Sequence, residues 1–137
     1  VFGVVSTSIA VKCSANINEI AKLSVGMVED MNFNSFAVRA RRAGKHNFAS
    51  MDVAREAGRA IKEVTGKKVD LNNPDVEVFI EVRDENAYIY TEIFRGYGGL
   101  PVGTQDRVFA IGELAAWYAL RRGCDVDVDS QEVADAI

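Results

Sequence analysis

Proline, cysteine and histidine are scarce in this chain: its 137 residues hold two Pro, two Cys and one His. Cys13 and Cys124 lie far apart, with no second Cys or His at ligand spacing, which excludes a zinc site and a disulfide framework. They read as small thiols in a reducing compartment. His46 has no carboxylate or nucleophile beside it in the sequence and reads as a surface-loop residue, not a catalytic base. No apolar run approaches the roughly 20 residues that span a bilayer, and no signal-peptide pattern opens the chain, so a cytoplasmic location is expected and no membrane partner. Nor is there a Gly-Lys-Ser/Thr phosphate loop or a correctly spaced dinucleotide fingerprint. Repeats and low-complexity tracts are absent too.

What is present is a globular balance, with 48% apolar and 26% charged residues, at a length that fits one ordinary domain. The net charge of −4 argues against a polyanionic partner, but its distribution argues for one. Asp125, Asp127, Asp129, Glu132 and Asp135 all follow Gly123, after which no Lys or Arg occurs. Between residues 32 and 62, by contrast, seven bases (Arg39, Arg41, Arg42, Lys45, Arg55, Arg59, Lys62) face two acids (Asp52, Glu56). Screening limits what a phosphate feels to about 8–10 Å, so the local patch outweighs the total.

Periodicity predicts a mixed α/β fold. Val1 to Lys12 reads as a strand or extended lead-in. A helix is expected over Asn16–Asp30, with Asn16 or Ser14 as its N-cap. In Phe36–Arg42 apolar and basic residues alternate, giving a strand with one face of each kind. Ser50 is expected to cap a second helix whose Val53, Ala54, Ala57, Ile61 and Val64 share a face, closed by Gly66. Val76, Val78, Ile80 and Val82 define a strand that pairs, across Asp84-Glu85-Asn86, with a second strand over Ala87–Phe94. The helix between the strands at 36 and 76 favours a parallel, right-handed crossover. Arg107–Ile111, Glu113–Arg122 and Cys124–Val128 read as strand, helix and strand, the opening of an α/β unit.

Two segments stand out as candidate sites. In Phe36-Ala-Val-Arg-Ala-Arg-Arg-Ala-Gly-Lys45, Arg39 and Arg41 point one way from the strand, while Arg42 and Lys45 carry the charge into the loop. Guanidinium forks donate paired hydrogen bonds that suit phosphate. In Arg95-Gly-Tyr-Gly-Gly-Leu-Pro-Val-Gly103, Gly96, Gly98 and Gly99 allow close backbone approach, Tyr97 can stack on a base, and Arg95 adds charge. A structural turn explains those glycines equally well. Arg55, Arg59 and Lys62 are weaker candidates. Tyr88 and Tyr90 can stack bases or simply pack on a sheet, and Glu81, Asp84 and Glu85 read as surface and turn acids.

The ordered set of motifs resembles the THUMP domain, an RNA-binding module of tRNA-modifying enzymes, in the form found in tRNA 4-thiouridine synthetases. The pattern comprises an aromatic-x-Val-Arg-x-Arg-Arg strand and the helix Ser50-Met-Asp-Val-Ala-Arg-Glu-Ala-Gly58. Lys68-Val-Asp-Leu-Asn-Asn-Pro-Asp75, Glu81-Val, Ala87-Tyr-Ile-Tyr and Gly98-Gly-Leu-Pro-Val-Gly103 complete it, so that roughly Val1 to Val108 is covered. The resemblance implies a THUMP-like mixed sheet with helices packed on it over residues 1–104, residues 1–12 being readable as the end of a preceding ferredoxin-like domain. Residues 105–137 resemble the start of a PP-loop domain. There the family's ATP-binding Ser-Gly-Gly-x-Asp-Ser is missing between Val108 and Trp117, so no cofactor and no intact thiolation site are expected in this chain. The partner so implied is tRNA, bound at its acceptor stem and 3′ end by Arg39, Arg41, Arg42, Lys45 and Arg95–Gly99. Two other readings stay open: substrate recognition for an ATP-dependent tRNA-modifying enzyme, with catalysis on a separate subunit or domain, and a dimerisation module that has lost RNA.

Overall fold

The computed structural model describes the whole chain, Val1–Ile137, which divides into two compact units. One is Ile9–Glu92; the other joins Val1–Ser8 to Ile93–Ile137. No helix is long and apolar enough to cross a membrane.

The unit Ile9–Glu92 is a five-stranded mixed sheet with two helices packed on one face. Its strands are β2 (Val11–Ser14), β3 (Ser35–Ala43), β4 (Lys68–Val69), β5 (Val76–Arg83) and β6 (Asn86–Tyr90), and its helices are α1 (Ile17–Val28) and α2 (Ser50–Thr65). The strand order is β2-β6-β5-β3-β4. β3 and β5 run parallel from Phe36↔Val76 to Ala43↔Arg83, joined through α2 as the crossover rule requires. β5 and β6 form an antiparallel hairpin whose register, Arg83↔Asn86, leaves only Asp84 and Glu85 in the turn. Asp84 accepts a positive φ of 50°, which tight hairpin turns demand and short polar residues tolerate.

Period-two alternation on β5 and β6 sends Val78, Ile80, Val82, Ala87 and Ile89 to the helix-covered face, where all are buried. Ile20 and Val28 of α1 and Val53, Ala57 and Ile61 of α2 close over them. Each fully buried aliphatic side chain of this kind contributes about 1.5–3 kcal/mol, so this interface holds the unit together. Asn16 caps α1, its side chain accepting the Glu19 N–H at 3.1 Å. α2 begins differently from the expectation: Ser50 is its first helical residue, and the Asp52 carboxylate ties down the preceding Ala49 N–H at 2.8 Å. Val64, expected in the apolar face, is exposed. Gly66 ends the helix in the left-handed conformation at φ 69°, as its position required.

The Asp-Leu-Asn-Asn-Pro-Asp segment locks the strands in register. Asp70 Oδ1 accepts the N–H groups of Asn72 and Asn73, and Asp75 Oδ2 accepts those of Asn34 and Ser35 at 2.8 and 3.2 Å.

The other unit contains β1 (Ser6–Thr7) paired antiparallel with β7 (Phe94–Arg95), and β8 (Gln105–Ala110) paired parallel with β9 (Cys124–Val128). Helix α3 (Glu113–Arg121) links β8 to β9, and α4 (Gln131–Ala136) follows. The strand expected to run to Phe94 therefore stops at Tyr90. Residues 93–104 belong to this compact unit. The reason is hydrogen bonding: Gly96 and Gly98 donate to the carbonyls of Val5 and Val4, and Leu100 and Gly103 to those of Arg121 and Gly123.

Candidate nucleic-acid interface

Residues that face each other across β3, β5 and β6 share one side of the sheet, which places Arg39, Phe79 and Tyr90 in one row and Arg41, Glu81 and Tyr88 in the next. Lys12 of β2 extends the second row. This is the side without helices.

The basic residues on it are not equivalent. Arg39 is held: its Nε donates to Glu77 Oε2 at 2.9 Å and its Nη2 to the Leu71 carbonyl at 2.6 Å, with the pair about 40% exposed. Arg41 is exposed and lies within 4 Å of no carboxylate. Arg42, on the opposite face, is exposed, and its Nη1 donates to the Gly44 carbonyl at 2.9 Å. Nη1 also lies 3.4 Å from His46 Nδ1, while His46 Nε2 lies 2.6 Å from the Asp84 carbonyl. Those partners fit a neutral imidazole protonated on Nε2, which makes His46 a brace for Arg42 and the hairpin turn. Lys45 is exposed and makes no ion pair.

Arg41, Arg42 and Arg83 line one cavity of about 350 Å³ with Glu81 at the ends of β3 and β5. Arg83 escaped the sequence reading, because only the strand register puts it opposite Ala43. It bonds Glu81 at 2.8 Å, and that hydrogen bond holds the Glu81 carboxyl below its ordinary range against the opposing effect of partial burial. Tyr90 donates its hydroxyl to the other Glu81 oxygen at 3.1 Å and stacks on Phe79 at 5.2 Å with the rings 14° apart. Burial, then the Glu81 contact, raises the Tyr90 hydroxyl above its usual value. Since Arg83 is paired with Glu81, Arg41 and Arg42 are the guanidinium groups of the cavity that no carboxylate engages, and Lys45 stands near them in sequence.

The glycine segment is built for close approach to its own chain. A Cβ on Gly96 would strike the Val4 carbonyl, and one on Gly99 the Arg121 carbonyl. Gly98 and Gly99 have φ of 65° and 80°. Tyr97 is 60% exposed, with its ring 5.6 Å from Phe2 and 6.2 Å from Trp117, and Arg121 lies 5.5 Å over the Trp117 ring. Arg95 is exposed and unpaired. Within this unit the side chains of Arg95 and Tyr97 are thus open to solvent, whereas the Gly96 and Gly98 N–H groups are spent.

Residues Ile9–Glu92 thus form a two-layer α/β unit with arginines at the ends of β3 and β5 and aromatic side chains on its helix-free sheet face. The profile of the THUMP domain matches residues 14–92, and the chain belongs to that family. It is 41% identical over 119 residues to a tRNA sulfurtransferase of Desulfurococcus amylolyticus, covering 82% of this chain and 24% of that protein. The chain thus spans about a quarter of the length of that relative. Among solved structures it is similar to PH1313 from Pyrococcus horikoshii, with a TM-score of 0.84 and 30% identity over all of this chain and 52% of the other. A 4-thiouridine synthetase–RNA complex with bound ATP gives a TM-score of 0.74 and 31% identity, covering 93% of this chain and 36% of that one.

Proposed function

We propose that this chain is a tRNA-binding module of the thiouridine-forming kind, which engages the acceptor stem and the unpaired 3′ end. The observation that carries the reading is the guanidinium cluster of Arg41, Arg42 and Arg83 at the strand ends, on a domain whose relatives include tRNA sulfurtransferases. Arg41, Arg42 and Lys45 hold backbone phosphates, with Arg83 beside them. Arg39, tethered to Glu77, shapes the strand and offers its remaining nitrogen. In the other unit Arg95 meets backbone and Tyr97 a base, while Gly96, Gly98 and Gly99 set the loop's path. Phosphate contacts of this sort position RNA without reading sequence, and selectivity comes from A-form shape and the splayed end.

Catalysis lies outside this chain in our reading. β8 enters α3 through two residues, Ile111 and Gly112, and the Gly112 N–H that an anion would seek points instead to Asp129 Oδ1 at 3.4 Å. The module therefore supplies recognition, with adenylation and sulfur transfer carried by another domain or subunit.

The test is binding to total tRNA and to tRNA trimmed of its 3′ end, for the wild type and for Arg41→Ala/Arg42→Ala/Arg83→Ala. Tight binding by the wild type, weakened by trimming and at least tenfold by the triple change, is expected. Equal affinity of both proteins for both RNAs would remove the assignment.

A further inference from the structure

The sheet has a vacant strand position. β4 pairs with β3 only at Ser35↔Lys68 and Phe36↔Val69, so from Ala37 to Ala43 the outer edge of β3 has no partner strand. Beneath α2, beside that open edge, lies a groove of about 450 Å³ whose floor and walls include Val38, Met51, Ala54, Gly58, Val69 and Leu71. Met51 is 71% exposed and Leu71 60%, unusual for apolar residues that flank one another. Gly58 sits in mid-helix, at a cost in helix propensity, although a Cβ there would meet only Val38 Cγ2 at 3.9 Å. Nothing inside the fold demands that glycine; its missing side chain leaves the groove open.

We propose that this groove binds an extended, acidic-apolar segment of another polypeptide, added as a strand on the β3 edge. A strand in that place would bond to the free backbone of Ala37–Ala43 and drop every second side chain under α2. From Met51 to Lys62 the helix runs about 16 Å, the length of about five strand residues. Arg55 and Arg59 on the groove's rim are paired with Asp52, Glu56 and Glu63 of their own helix, but Lys62 on the rim and Arg41 on the open β3 edge have no ion pair, so acids flanking the inserted side chains are matched by these two cations. A second copy of this chain is excluded as the occupant by charge, since joining two β3 edges would bring Arg39, Arg41 and Arg42 against their counterparts. The carbon-rich lining suits aliphatic side chains better than a phosphate chain. The groove and the arginine cavity share strand β3, Arg41–Ala43 lining the cavity, but no side chain that lines the groove lines the cavity, and the proposal does not depend on the RNA reading.

A synthetic acetylated heptapeptide alternating Glu or Asp with Val or Ile is the probe, followed by amide shifts in the whole chain. Shifts at Val38–Ala43 and binding weakened at least tenfold by N-methylation of alternate peptide residues are expected. Gly58→Leu, which fills the groove, and Met51→Glu, which places an acid on its exposed lip without touching the core, should each weaken binding by a similar factor. Absence of shifts at β3, or binding indifferent to N-methylation and to Met51→Glu, overturns the proposal. So does an oligonucleotide that shifts these amides when the peptide does not, for the groove would then belong to RNA.

Discussion

The two units of this chain spend their apolar residues differently. In Ile9–Glu92 the aliphatic side chains of three strands and two helices meet in one cluster, with Phe36, Ile61, Ile80 and Ile89 fully buried. In the unit formed by Val1–Ser8 and Ile93–Ile137, the only buried side chains are those of Ala110 and Ala116, while Phe109, Ile111, Leu114 and Tyr118 face solvent. A two-stranded parallel sheet cannot enclose large side chains as a five-stranded one can. Similar apolar content thus produces a cohesive core in one unit and a largely superficial one in the other. The difference teaches that composition sets how much can be buried, and topology decides whether it is.

The largest expected effect separates these two uses directly. Phe36→Ala removes a fully buried ring and should destabilise its unit by about 3–5 kcal/mol in urea denaturation followed by amide exchange. Leu114→Ala, at a position 71% exposed, should move the Trp117 fluorescence transition by no more than about 0.5 kcal/mol. Equal costs at the two positions would break the comparison. A smaller effect sharpens the electrostatic side. Glu81 is held below its ordinary value near 4.5 chiefly by Arg83, so its folded value lies below its unfolded one. The stabilisation is present above pH 4.5 and lost as pH falls through the folded value. Glu81→Gln should therefore be less stable than wild type at pH 7, by under about 1 kcal/mol for so exposed a partner, with the gap closing in acid. A gap that widened on acidification would reverse the sign of this account.

Local patterns carried much of the fold in the sequence. The apolar stripe of α2, the alternation in β5 and β6, the polar turn at Asp84 and the helix end at Gly66 each follow from period or backbone preference. β4 and α4 left no comparable signal, being two and six residues long. The candidate site was legible as charge but not as geometry. Arg39 reads as free until the register puts Glu77 beside it, 38 positions away, and Arg83 reads as isolated until the same register puts it next to Arg41 and Arg42. The glycines of residues 96–99 signal close backbone approach, but the sequence cannot say to what. The partner is the segment around Val4, through hydrogen bonds between distant residues that periodicity does not register.

The central claim is that RNA is held through the arginines at the ends of β3 and β5. It is tested most directly by the salt dependence of tRNA binding, wild type against Arg41→Ala/Arg42→Ala/Arg83→Ala. Each phosphate contact contributes about 0.7–0.9 to the log–log slope. Three lost contacts should flatten the slope by about 2–3 on that scale. A triple variant with the wild-type slope would contradict the claim, because the charges that bind RNA would then lie elsewhere on the chain.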